Sequence, residues 1–242
     1  MSPRQLRLLF YSHNGVGVGH FRRQLHLAAA FRARRPDAAV LLVTGSHAPG
    51  AFSPPAGVDY IRLPSIRTVD RKETWEPRHL DLPIAELMLL REDLLRQTVR
   101  RFEPDLLVAD FMPAGPYGEL RGALDELAAR GGRAVAGFRD IIDEPAFVRE
   151  LWRRTGVYDV LRERYDAICV YGSRAVVDFE ADYGISGELA QRLHYVGYLG
   201  RSHPRRVEVA GDSPFVIAST GGGVDGGALL STFIAAALRL AP

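Results

Sequence analysis

The chemistry in this chain is concentrated at three places. Gly15, Gly17 and Gly19 lead into His20; Asp110 closes the apolar run LLVAD; Arg139 and Asp140 follow the apolar run AVAGF. An imidazole exchanges a proton near neutral pH, a carboxylate acts as a base or orients another group, and a guanidinium grips a phosphate with a fixed fork. Together they suit a site for an anion or an electron-rich polar ligand. The residue types leave the base open among His20, Asp110 and Asp140. Asp110 can also be read as a turn residue bonding nearby N–H groups. Arg139 is the candidate phosphate contact, while Arg22 and Arg23 either reach a phosphate or line a solvated helix face. No HExxH, clustered His/Asp spacing or Asp-x-Asp motif is present, so no metal is expected. His13 and His26 read as structural, and Asp143-Glu144-Pro145 as an N-cap, a first-turn acid and a first-position proline.

The stretch from Leu6 to Ala30 must position the first group. It reads as a buried strand (Leu8 to Tyr11), a glycine loop, and a helix opening at His20. Glycines let the backbone turn tightly and come close to a ligand. The helix start adds free N–H groups and the positive end of its dipole. A dinucleotide fingerprint needs a third glycine where His20 stands, and an acidic residue where the second strand ends in Thr44-Gly45. A Walker loop needs a lysine, and the only lysine in the chain is Lys72. The loop therefore suits an anion without being an NAD or P-loop ATP site.

Beyond it, apolar runs alternate with helical patterns. AVLLVT, Tyr60 to Leu63, LLVAD, AVAGF, AICVY and Leu193 to Val196 read as strands; Phe21–Arg34, Ile84–Phe102, Tyr117–Ala129 and segments between Pro145 and Tyr165 read as helices, with Ser173 capping another to about Asp182. Ser65 to Pro83 reads as a long polar loop or lid containing Trp75. The pattern predicts an α/β, Rossmann-like parallel sheet with helices on both faces. Ligands of such sheets lie beyond the carboxyl ends of the strands. That rule selects the loop before His20, the segment from Asp110 to Gly115, and Arg139-Asp140.

Composition narrows the class. The chain has 242 residues, is 47% hydrophobic and carries a net charge of +2, too small to point to nucleic acid. Cys169 is the single cysteine, placed in an apolar run, so no disulfide or thiolate-metal framework is available. No run of about 18 apolar residues and no signal-peptide pattern occurs, and a cytoplasmic protein with at most peripheral membrane contact is expected.

After residue 199 the texture changes. Residues 200–213 are polar and read as a linker; FVIAST then reads as a new strand, Thr220, Gly221, Gly222 and Gly223 as a second glycine loop, and ALLSTFIAAALRL as a helix. Residues 1–199 are expected to form one Rossmann-like domain. Residues 214–242 would be the first strand and helix of a second, the whole being the front half of a two-domain protein.

The ordered set FYSHNGVGVGHFRR, FEPDLLVAD, GFRDIIDEP, YDAICVYG, YVGYLGR and STGGGVDGG resembles a group of bacterial predicted glycosyltransferases of GT-B architecture. That group is related to glycosyltransferase family 28, the peptidoglycan N-acetylglucosaminyltransferase family. The resemblance implies an acceptor-holding N-terminal domain, a nucleotide-sugar-holding C-terminal domain, and metal-independent, inverting transfer in the cleft. It matches Gly15, Gly17, Gly19 and His20 to the loop near acceptor and diphosphate, and Thr220 to Gly223 to the loop cradling the donor diphosphate. His20 is then a neutral base or a hydrogen-bond donor. No cofactor is implied; the partners are a nucleotide sugar, expected to be a UDP-sugar, and an unassigned acceptor for which a lipid-linked molecule is one option. The chain alone is expected to be a poor catalyst. Two other readings stand beside this one: a nucleotide-sugar 2-epimerase of the same architecture, and a non-catalytic ligand- or partner-binding module.

Overall fold

The computed structural model describes residues 4–13, 17–69, 74–200, 216–220 and 226–240. The chain divides into two compact units, Met1–Leu199 and Gly200–Pro242.

The first unit is built on a seven-stranded sheet. Its strands are β1 (Arg7–Ser12), β2 (Ala39–Thr44), β3 (Val58–Arg62), β6 (Leu106–Asp110), β7 (Arg133–Arg139), β8 (Ala167–Tyr171) and β9 (Leu193–Tyr195). The order is β3-β2-β1-β6-β7-β8-β9 and every pairing is parallel. The fold class expected from the sequence is therefore the one observed. β1 shows why its residues are continuously apolar: Leu9 and Tyr11 enter one core and Leu8 and Phe10 the other, so both faces are buried. Helix α1 (Gly19–Arg34) covers one face through Phe21, Leu25 and Ala28. Helices α2 (Ile84–Phe102) and α3 (Arg121–Ala128) cover the other through Leu95, Val99, Leu124 and Leu127. There Trp152 of α4 (Pro145–Thr155) and Leu161 of α5 (Val157–Arg164) complete the core.

Several local expectations need correcting. The residues from Ser65 to Pro83 are not wholly loop: β4 (Ile66–Thr68) pairs antiparallel with β5 (Trp75–Pro77). Trp75 is buried against Ile66, Leu87 and Met88, which supply the partners that a polar stretch does not advertise. The third sheet strand starts earlier, at Val58, because it pairs from Val40 onward. The helix expected from Tyr117 starts at Arg121, after a 3-10 turn at Pro116–Gly118 in which Tyr117 has φ +49°. The cap of α4 is Glu144, accepting from the N–H groups of Ala146 and Phe147, with Pro145 in first position. Ser173 caps only a turn; α6 (Phe179–Tyr183) is capped by Asp178, and a further short helix, α7, spans Glu188–Gln191.

A fully buried ion pair ties the layers together. Arg91 of α2 meets Glu119 through two bonds of 2.5 and 2.7 Å, and Tyr11 donates to the same carboxylate. Burial, then the neighbouring Glu119 charge, pushes the Tyr11 hydroxyl well above its ordinary range.

In the second unit α8 spans Gly227–Leu240 and exposes Leu229, Ile234 and Leu238. Residues 216–220 form no strand, contrary to the reading of FVIAST: Val216 and Ile217 are exposed and have no neighbouring strand among the described residues.

Candidate active site

The sheet order reverses between β1 and β6, so the ends of these two neighbours flank a crevice. His20 comes from the first turn of α1 and Asp110 from the last position of β6. His20 Nδ1 lies 2.8 Å from Asp110 Oδ2, and Arg23 donates to Asp110 Oδ1 at 2.9 Å. The Asp110 side chain is almost wholly buried, whereas those of His20 and Arg23 keep 19% of their surface exposed. A buried carboxylate needs such partners, since its desolvation is otherwise costly. A carboxylate held by a guanidinium accepts hydrogen bonds. Nδ1 of His20 therefore donates to it, and the lone pair of the neutral ring sits on Nε2.

Around the pair is an aromatic cluster. The Phe111 ring lies 5.2 Å from that of His20 and stacks on that of His13 at 5.8 Å. His13 also meets His20 at 5.2 Å and Trp75, edge-on, at 5.6 Å. Phe111 reaches this position with φ +74°, a left-handed conformation that costs about 1–3 kcal/mol in a non-glycine residue. Arg139 stands over the Phe111 ring at 5.6 Å and donates to the Ile142 carbonyl at 2.7 Å. Arg23 stands over Tyr171 at 5.4 Å. Burial, with the Asp110 charge second, pushes the Tyr171 hydroxyl up.

Of the residues singled out from sequence, His20 and Asp110 touch, and Arg139 joins them through Phe111. Asp140 is engaged elsewhere: one oxygen accepts from the Ile141 N–H at 2.9 Å and the other from the Tyr198 hydroxyl at 2.8 Å. Gly17 has φ +64°, a conformation open to glycine, and a Cβ on Gly19 would meet nothing within 4 Å. Among the described residues the first turn of α1 has no side-chain cap and no acidic residue. Thr220 is described; Gly15, Gly221, Gly222 and Gly223 lie outside the described residues. Among the described residues no three His, Cys, Asp or Glu side chains converge as metal ligands. Sequence reasoning left Arg23 undecided and set His13 aside. The signal for Arg23 was its spacing of three from His20, which puts both on one helix face.

Behind Phe111 and Trp75 lies a cavity of about 470 Å³. Phe111 is thus a wall shared by the cavity and the His20–Asp110 pair.

No protein-family model matches the sequence, and no curated protein matches it. Solved structures do match. A glycosyltransferase from Rickettsia africae superposes with a TM-score of 0.52 at 7% identity, covering 81% of this chain and 43% of that one. The fold is the same: a Rossmann-like α/β domain. A UGT transferase from Siraitia grosvenorii in complex with UDP gives 0.49 at 13% identity, covering 81% and 48%. A UDP-N-acetylglucosamine 2-epimerase structure from Listeria monocytogenes gives 0.48 at 5%, covering 79% and 45%. The chain spans about half the length of the solved structures it matches.

Proposed function

We propose that this chain carries the acceptor side of a metal-independent, inverting glycosyltransferase whose donor is a nucleotide sugar, with UDP-sugars first among the candidates. The observation that carries the reading is the 2.8 Å contact between His20 and Asp110 at the reversal point of a parallel sheet, beside a cavity. The fold shared with a protein described as a glycosyltransferase supports it, as does the resemblance to the group related to family 28.

The acceptor hydroxyl passes its proton to Nε2 of His20 while its oxygen bonds to the anomeric carbon. The bond from that carbon to the diphosphate oxygen breaks, and the nucleoside diphosphate leaves with the electron pair. Asp110 holds Nδ1, fixing the tautomer and stabilising the imidazolium that forms. Arg139, Gly17, Gly19 and the first turn of α1 supply positive potential for the departing phosphates. The loop from Thr220 to Gly223 is assigned to the donor diphosphate by resemblance. Asp140, with both oxygens engaged, has no step.

The test, made on a full-length protein that includes a nucleotide-sugar-binding domain, is nucleotide release and glycoside formation from UDP- and GDP-sugars offered with phenolic and sugar acceptors. His20→Ala is expected to lower turnover by on the order of 10²–10⁴. A loss below tenfold removes His20 from the base role. Epimerised sugar formed without an acceptor would replace the reading with that of a 2-epimerase.

A further inference from the structure

Gly137 sits in the interior of β7, where a glycine weakens a strand. Its φ lies outside the left-handed region, so the backbone does not require a glycine there. The space does. A Cβ at position 137 would collide with the Tyr171 hydroxyl and stand 2.7 Å from Cζ and 3.0 Å from Cε2 of that ring. Tyr171 is the last residue of β8, and its ring lies across β7 where a side chain would otherwise be. In the sheet register Tyr171 pairs with Arg139, and Gly137 with Asp110. Paired residues share a face, as do residues two apart along a strand. Tyr171 therefore leans over Gly137 on the same face as Asp110.

The ring reaches Arg23. The guanidinium stands 5.4 Å from the ring centre and donates to Asp110 at 2.9 Å. A long arginine side chain has many rotamers to lose, and an aromatic face that holds its planar head lowers the cost of aiming it. Tyr171 is itself buried. Burial, then the Asp110 charge, keeps its hydroxyl protonated, so no second anion competes for Arg23.

We propose that Tyr171 is a positioning residue for the His20–Asp110 pair: its ring fixes Arg23, Arg23 fixes the Asp110 carboxylate, and the carboxylate keeps the proton on His20 Nδ1. Gly137 is the opening that admits the ring. The relay joins α1, β6, β7 and β8 at one rim of the sheet. An aromatic ring that only packs on β7 could be replaced by another apolar side chain, whereas the relay needs the π face. The consequence for sugar transfer rests on the transferase reading above; the link between the residues does not.

The tautomer of His20 reports the link. It is read by 15N NMR of the full chain labelled at histidine, on the alkaline side of the imidazole titration, with His20→Gln assigning the signals. An imidazole released into water prefers its proton on Nε2. Tyr171→Leu and Arg23→Met are each expected to move His20 from the Nδ1–H toward the Nε2–H pattern. Tyr171→Phe, which keeps the ring, is expected to retain the Nδ1–H pattern. Tyr171→Leu added to Arg23→Met should move it no further, because both break one link. Should Tyr171→Leu fail to fold, Gly137→Ala, which expels the ring without altering it, is expected to give the same shift. An unchanged pattern in Tyr171→Leu, an equal shift in Tyr171→Phe, or full additivity with Arg23→Met overturns the inference.

In a full-length protein with a nucleotide-sugar-binding domain, Tyr171→Leu should lower kcat by about two- to fivefold and leave KM unchanged. The expected tautomer shifts in a protein that transfers no sugar would sink the transferase reading and leave the relay standing. Sugar transfer with the wild-type kcat in Tyr171→Leu would do the reverse.

Discussion

Arg23 donates to the Asp110 oxygen that His20 leaves unused, at 2.9 Å. The carboxylate is therefore fixed from both sides, and Arg23 acts as a positioning residue for His20. Asp110→Asn should lower turnover by on the order of 10²–10⁴ by disturbing the tautomer and leaving the imidazolium unsupported. Arg23→Met should cost about tenfold, or ~1.4 kcal/mol, because one of two anchors is lost. Kinetics of the two variants on one acceptor check the order; equal losses would contradict it.

Gly19 separates a ligand role from a packing role. A Cβ there meets nothing within 4 Å, so Gly19→Ala should leave thermal stability unchanged or slightly raised. Where substrate approaches the loop, the same methyl group raises KM. Unchanged kinetics with unchanged stability would show that the loop keeps its distance from the substrate.

The buried Arg91–Glu119 pair gives a stability prediction. Glu119→Leu leaves a buried guanidinium uncompensated and should cost about 3–5 kcal/mol. Arg91→Met combined with Glu119→Leu should cost less than either single change. Urea unfolding of the three variants measures the coupling.

Glu103 ends α2 with φ +47°, in the left-handed region. Its exposed ion pairs with Arg7 and Arg130, at 3.5 and 3.3 Å, contribute little. Glu103→Gly should relieve the strain and stabilise the unit by about 1 kcal/mol, read as a higher urea midpoint.

The α4 cap sets an acid-side dependence. Bonds from the N–H groups of Ala146 and Phe147 hold the Glu144 carboxyl below the usual glutamate range. Its folded pKa is the depressed one. The contribution is thus complete above the unfolded value, near 4.5, and disappears as pH falls through the folded value. The difference in Tm between wild type and Glu144→Gln should narrow as the pH is lowered through that window. A constant difference would show that the carboxylate charge adds nothing to the cap.

Much of the positioning was legible in the chain. LLFYS and LLVAD announce buried parallel strands, and the rule that ligands sit beyond strand ends put the loop before His20, Asp110 and Arg139 at one rim of the sheet; that His20 and Asp110 touch, where the sequence leaves them competing candidates for the base, came only from the structure. The hairpin that buries Trp75 was not legible, because its partners Leu87 and Met88 are contributed by another element. FVIAST misled for the converse reason: an apolar run becomes a strand only when another backbone pairs with it. Phe111 carried no signal either, since left-handed backbone is unexpected in an aromatic residue.

The sheet order also sets a timetable for synthesis. β1, β2 and β3 have all left the ribosome once Arg62 emerges, yet the other edge of β1 pairs only with β6, far downstream. Until Asp110 appears, a hydrophobic strand edge stands open to any neighbouring nascent chain. Aggregation of truncated translation products should therefore peak for chains ending between these two residues and fall once β6 can dock.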